Sequence, residues 1–326
     1  MPKISIIIPC YYNEENIPIT AAELIQNESL FPTDVHFEYV FIDDGSKDNT
    51  YEELLKFHHE YPTKVKIIKL AGNVGSYNAI LAGMKYATGD CNVIIAADLQ
   101  DPPELIVKMY DYWLKGIKFV VANRKEREES WGQRMLSNTY HYLMKKLALK
   151  NIPKGGFDFV LFDKQLREEV IKINEKNTNT IYLLAWLDFD FVSIPYVRRK
   201  RRVGVSKWTT KKKIKLFIDS FVSFSFAPIR AISILGLALG FVAFLYGLFV
   251  IVAKITGLVR LTGWAGIMAV LLFVSSFQMI ALGILGEYLW RTLDAARKRP
   301  NYIYDHMIDV QKEEKDKQII NTVVNE

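Results

Sequence analysis

Ile4-Ser5-Ile6-Ile7-Ile8-Pro9-Cys10-Tyr11-Tyr12-Asn13-Glu14 opens the chain as a short β-branched run, closed by proline and followed at once by aromatic and polar residues. Isoleucine at this density favours a strand, and Pro9 lacks the N–H that would continue a ladder. The same unit then recurs. Tyr39–Ile42, Val65–Leu70, Val93–Ala96 and Phe119–Ala122 are further strand-like runs; between them Ile17–Gln26, Tyr51–Glu60, Ser76–Ala87 and Glu104–Leu114 carry apolar residues at helical spacing. Gly45, Gly89 and Pro102-Pro103 punctuate the alternation. Strands alternating with helices predict an α/β fold of βαβ units with a mostly parallel, Rossmann-like sheet. Ligands of such sheets bind beyond the carboxyl ends of the strands.

Further along, Arg124–Lys150 reads as a charged loop and a helix, Phe157–Phe162 as a strand, Lys164–Ile173 as a helix, and Phe191–Val197 as a strand running into basic residues. From Trp208 to Phe224, Ile214, Phe217, Ile218, Phe221 and Val222 recur at helical spacing opposite Lys211, Lys212 and Lys215. That pattern predicts an amphipathic helix, lying in a membrane interface or packed on a core. Ala231–Ala253 and Gly263–Gly286 are uncharged, and each has about the 20 residues needed to cross a bilayer. The short join Lys254–Thr262 makes them a hairpin. Basic residues crowd before the first span and after the second, which predicts cytoplasmic termini. No signal peptide is legible at Met1-Pro2-Lys3. The expected organisation is a cytoplasmic catalytic domain over 1–205, an interfacial helix over 206–228, two transmembrane helices over 229–290 and a cytoplasmic tail over 291–326, a polar segment after Asp309.

Across 326 residues the net charge is +6, with basic residues gathered at Arg198–Arg202, Lys211–Lys215 and Arg297–Arg299 beside the apolar runs. That placement points to anionic membrane lipid or phosphates and away from nucleic acid. The two cysteines, Cys10 and Cys91, lack metal-ligand spacing and fit buried thiols in a reducing compartment. Gly236 and Gly240 offer one helix face for close packing, which suits a homo-oligomer.

The polar residues just after the strands are the candidate site. At the first strand end, Pro9 and Tyr11 precede both Tyr12-Asn13 and Asn13-Glu14, and an aromatic ring there can lie against a flat base. At the second, the carboxylates of Asp43 and Asp44 in Asp43-Asp44-Gly45-Ser46 can accept from a base imide or ribose hydroxyls, or cap the helix starting near Asn49. Asn73-Val74-Gly75 follows the third strand. The most informative stretch is Ala96-Ala97-Asp98-Leu99-Gln100-Asp101-Pro102-Pro103-Glu104. Hard divalent cations take oxygen ligands, and a carboxylate with a nearby amide oxygen can complete a shell otherwise filled by diphosphate and water.

This ordered series, with Arg198–Trp208 and its phrase Gly204-Val205-Ser206-Lys207-Trp208, resembles family 2 glycosyltransferases of the polyprenyl-phosphate type, the group of dolichol-phosphate mannose synthase and the bactoprenol glucosyltransferases. The likeness extends to the paired C-terminal helices and to Gly286-Glu287-Tyr288 with Arg291. It implies a GT-A catalytic domain in which Pro9, Tyr11, Asn13, Glu14, Asp43, Asp44, Asn73, Gly75, Asp98 and Arg124 hold the nucleotide-sugar donor. It further implies that Asp98 and Gln100 bind Mg²⁺ or Mn²⁺, that Asp158 is the catalytic aspartate, and that Arg124, Arg198, Arg201, Ser206 and Lys207 hold phosphate. The implied reaction is inverting transfer of a hexose from a nucleotide diphosphate-sugar, by family habit a UDP-sugar, to undecaprenyl phosphate, giving a lipid-linked sugar for cell-surface glycan. The implied location is a bacterial cytoplasmic membrane. Ala96 stands where the family commonly has aspartate, and Phe157 and Val160 where it often has glycine and arginine. A transferase acting on a sugar hydroxyl, a non-catalytic nucleotide-sugar-binding subunit and a flippase component are the competing readings.

Overall fold

A computed structural model describes residues 1–124, 135, 139, 142–149, 157–173, 175–203, 218–256 and 264–309. The chain divides into two compact units, Met1–Ser220 with Pro300–Glu326, and Phe221–Arg299.

The first unit is built on one sheet. Its strands are β1 (Lys3–Cys10), β2 (His36–Asp43), β3 (Val65–Leu70), β4 (Cys91–Ile94), β5 (Phe119–Arg124), β6 (Phe159–Asp163), β7 (Phe191–Tyr196) and β8 (Tyr304–Ile308), in spatial order β7-β5-β6-β4-β1-β2-β3-β8. The helices are α1 (Ile17–Glu28), α2 (Thr50–Glu60), α3 (Ser76–Tyr86), α4 (Leu105–Leu114), α5 (Lys164–Ile173) and α6 (Thr180–Trp186). Ile4, Ile6 and Ile8 of β1 pack with Phe41, Leu24, Phe57 and Met109 on one face. Ile7 and Ile42 face α3, where a Cβ on Gly83 would stand 2.6 Å from both side chains. Both faces of β1 are therefore covered, which is why its isoleucines run on instead of alternating with polar residues. Each fully buried isoleucine contributes about 1.5–3 kcal/mol.

Four features depart from the sequence reading. The sheet is mixed: β6 runs antiparallel to both β4 and β5, and β8 antiparallel to β3. β4 ends at Ile94, two residues before the predicted Ala96. Ile95 N still donates to Ile7 O at 3.2 Å, but Leu99 N turns back to Ala96 O and Leu99 takes a φ of 43°. α6 is seven residues long and almost wholly apolar, too short to show a period; Asn179 Oδ1 caps it by accepting from Ile181 N and Tyr182 N. β8 lies within the segment expected to be a tail. It fills the outer edge of β3, where Lys66 reaches Asp309 at 3.1 Å.

The second unit holds α7 (Ala227–Ile255) and α8 (Trp264–Ala296). Ala227–Val250 and Val270–Ala296, of mean hydropathy 2.3 and 1.8, are long and apolar enough to cross a membrane. Tyr288 Oη donates to Ser225 O at 2.8 Å, and Arg291 pairs with Glu287 at 2.9 Å. Residues 218–224 are helical. The expected interfacial helix otherwise falls outside the described residues, as do Ser206, Lys207 and most of the segment from 125 to 156.

Candidate active site

The parallel register of β1 and β2 sets Pro9 beside Ile42 and Cys10 beside Asp43. Asp44 N then donates to Cys10 O at 2.9 Å, so the first two motifs emerge side by side at the carboxyl edge. Beyond that edge opens a cavity of about 790 Å³. Pro9, Tyr11, Tyr12, Asn13 and Glu14 form one wall. Tyr12 sits at a φ of 55°, held by its N–H on Ser46 Oγ at 3.0 Å, and its ring meets Tyr11 edge-on at 4.6 Å. Asn13 Oδ1 accepts from Tyr11 N at 2.7 Å, and Glu14 accepts from Asn49 N at 2.9 Å. Both candidates for the family's Asn-Glu position thus help to shape the turn.

Asp43 and Asp44 separate. Asp43 is fully buried and does not line the cavity; one oxygen accepts from Ser46 N at 3.0 Å, and Oδ2 has no hydrogen-bond partner among the described residues. Burial pushes its carboxyl above the usual range, opposed by the Ser46 hydrogen bonds and by Lys69. Asp44 lines the cavity with Asn73 and Gly75. Its oxygens accept from Val74 N at 2.7 Å, Gly75 N at 3.0 Å and Asn73 Nδ2 at 3.0 Å. Asp44 is therefore the clamp that brings the third motif to the site. Gly45 permits this approach: its φ is 69°, and a Cβ there would lie 2.6 Å from the Gly72 carbonyl carbon.

Asp98 is on the cavity wall with Arg201, and Arg201 Nη2 donates to Asp98 Oδ2 at 2.7 Å. Gln100 is turned elsewhere: its carbonyl accepts from Arg199 N at 2.8 Å and its Nε2 donates to Arg199 O at 3.4 Å. Arg199 itself grips Glu104 at 2.7 Å and Glu23 at 3.2 Å, and Arg202 reaches Glu23 at 2.5 Å. Among the described residues, no three or more His, Cys, Asp or Glu side chains form a metal cage. Asp98 instead offers a single carboxylate, the donor set expected where diphosphate oxygens and water supply the other ligands.

Arg124, Asp158 and Arg198 meet in a separate cluster outside the cavity wall. Arg124 Nη2 donates to Asp158 Oδ2 at 2.8 Å, and Asp158 is 57% exposed. Two residues to which the sequence assigned no role lie behind them. The Tyr196 hydroxyl accepts from Arg124 Nε at 3.3 Å and donates to buried Asp101, whose Oδ1 is also 3.4 Å from Arg198 Nε. Burial raises the Asp101 carboxyl, while Tyr196, Arg124 and Arg198 pull it down. Despite burial, Asp158 and Asp101 hold Arg124 firmly charged. A further cavity wall, Lys176–Thr178, carried no motif that would have marked it.

The profile of Glycosyl transferase family 2 matches residues 5–174. The uncharacterized glycosyltransferase YkcC of Bacillus subtilis (strain 168) is 35% identical over 302 residues, 92% of this chain and 93% of that protein. The prophage bactoprenol glucosyl transferase homolog of Escherichia coli (strain K12) is 33% identical over 92% of this chain and 98% of its own length. The bactoprenol glucosyl transferase of Shigella phage SfX is 32% identical over the same shares. A match that runs through every strand-end motif, and in the relatives through nearly the whole of each protein, leaves one assignment: the chain belongs to glycosyl transferase family 2 and is a glycosyltransferase built on a GT-A domain.

Proposed function

We propose that the protein transfers a hexose, with inversion, from a UDP-sugar to undecaprenyl phosphate at the cytoplasmic face of a bacterial membrane. The observation that carries this reading is the alignment with bactoprenol glucosyl transferases over 302 of 326 residues. Such a length cannot be reached without part of Phe221–Arg299, the unit that holds both apolar helices. Both ends of that unit continue into the catalytic unit. Two membrane crossings return the chain to the side it left, which agrees with cytoplasmic termini.

In this reading Tyr11 and the Asn73–Gly75 turn hold the nucleoside, with Asp44 fixing the turn. Asp98 is the ligand for Mg²⁺ or Mn²⁺, and Gln100 joins it only by turning from Arg199. The bound cation would neutralise charge on the departing diphosphate. Arg201 leaves Asp98 for phosphate, a task suited to a guanidinium fork. The lipid phosphate monoester, with a second pKa of about 6, attacks the anomeric carbon as a dianion. It needs little help from a base, so Asp158, held by Arg124, orients the acceptor or takes a residual proton directly. The test is incubation with radiolabelled UDP-glucose and extracted lipid. Label released by mild acid from a lipid phosphodiester is the expected product; label on a glycan hydroxyl with no lipid-linked intermediate would overturn the reading.

A further inference from the structure

Arg124 and Tyr196 are register partners at the ends of the parallel strands β5 and β7. That register, set by two rigid elements, brings the Tyr196 hydroxyl to 3.3 Å from Arg124 Nε. A phenol can accept one hydrogen bond while donating its own proton, and Tyr196 donates to Asp101. Asp101 is 1% exposed. A carboxylate so buried persists only when paired and hydrogen-bonded, and here Tyr196 and Arg198 serve it. The line therefore runs from a buried anchor to an exposed carboxylate: Asp101, Tyr196, Arg124, Asp158. With Nε held from behind, the planar guanidinium has one orientation in which Nη2 meets Asp158 at 2.8 Å.

We propose that Tyr196 and Asp101 are positioning residues that act through Arg124, aiming its guanidinium at Asp158 and thereby setting the geometry of the transfer step. The inference rests on the transferase reading above. It adds two residues to the reaction's machinery that touch neither donor nor acceptor. Arg198 shares the same anchor, so the Asp101 carboxylate also ties the start of the basic segment to the site.

The experiment is a double-mutant cycle on the full-length protein, with Tyr196→Phe, Arg124→Lys and the pair, each checked for thermal unfolding. Tyr196→Phe keeps the ring and its edge contact with Phe159. It should lower kcat about ten-fold while donor KM and donor affinity by calorimetry change less than about two-fold. The double variant should be no slower than Arg124→Lys alone, because the hydroxyl has nothing left to aim. Asp101→Asn should repeat the kcat loss, and Asp101→Glu should recover part of it. An unchanged kcat in Tyr196→Phe, or a double variant slowed by the product of the two single effects, would overturn the proposal. The same cycle is run on slow donor hydrolysis, in which water takes the acceptor's place, with UDP-glucose, UDP-N-acetylglucosamine and GDP-mannose tried in turn. Loss of lipid transfer in the wild type with a coupled cycle in hydrolysis would reject the acceptor assignment alone; an uncoupled cycle in hydrolysis would reject the positioning pair.

Discussion

Arg201 and Asp98 form an ion pair at 2.7 Å on the wall of the strand-end cavity. The carboxylate expected to meet a divalent cation thus already has a cationic partner within the chain. Replacing Asp98 by Asn removes the cavity carboxylate that the sequence assigns to the cation. Transfer is expected to fall at least about a hundred-fold, and Mn²⁺-dependent binding of UDP, followed by calorimetry, is expected to disappear. Chelator should silence the wild type in the same way, and full activity in its presence would refute the metal assignment.

Arg199 and Arg201 are two residues apart but differently employed. Arg199 is committed to Glu23, Glu104 and the Gln100 carbonyl, whereas Arg201 faces the cavity. Arg199→Ala is expected to cost about 1 kcal/mol of stability or less, because these ion pairs are partly exposed. Arg201→Ala should reduce kcat/KM by at least about ten-fold. Steady-state kinetics on the two variants decides the matter: small, equal losses would return both arginines to a general basic surface.

Gly45→Ala tests the clamp between the second and third motifs. An added Cβ would meet the Gly72 backbone at 2.6 Å, in a conformation with φ of 69° that alanine resists. The expected cost is about 1–3 kcal/mol of stability. Donor affinity should fall with it, since Asp44 loses its grip on Val74 and Gly75. Calorimetric titration with UDP that gives wild-type affinity would show that the turn is placed by something else.

Glu38 supplies a pH dependence. Burial alone would raise its carboxyl, but Lys66, the Ser5 hydroxyl, Thr88 N and Lys3 together push it down from 4.5 to about 2. Because the folded value lies below the unfolded one, the stabilisation is complete above about pH 4.5 and is lost as pH falls towards about 2. A shift of this size corresponds to about 3 kcal/mol. Glu38→Gln should therefore lower the unfolding temperature clearly at pH 7 and far less at pH 3. An equal gap at both pH values would contradict the linkage.

Cutting the chain after Arg299 removes β8. Ala71 N then loses its bond to Ile303 O, and β3 is left as an open edge immediately before Asn73-Val74-Gly75. Lower solubility and a lower unfolding temperature are expected, because an unpaired edge invites other strands. Weaker UDP binding should accompany them, read by titration of the truncated chain in detergent. Unchanged binding and stability would show that the edge strand is dispensable.

Sequence alone carried the βαβ alternation, the strand-end placement of Pro9, Tyr11, Asp44, Asn73 and Asp98, and the two long apolar helices, because each is a local property of composition and period. It could not separate Asp43, the last residue of β2, from Asp44, which has left the strand, since the packing beyond the sheet edge decides which of the two lines the cavity. Nor could it foresee the antiparallel β6, the return of Tyr304–Ile308 to the edge of β3, or the meeting of Asp101, Tyr196 and Arg124. These depend on pairings across up to hundreds of residues, and no window of sequence contains both partners. Residue type set what chemistry was available at the strand ends; the register of the sheet chose which side chains would act on a ligand and which would hold the others in place.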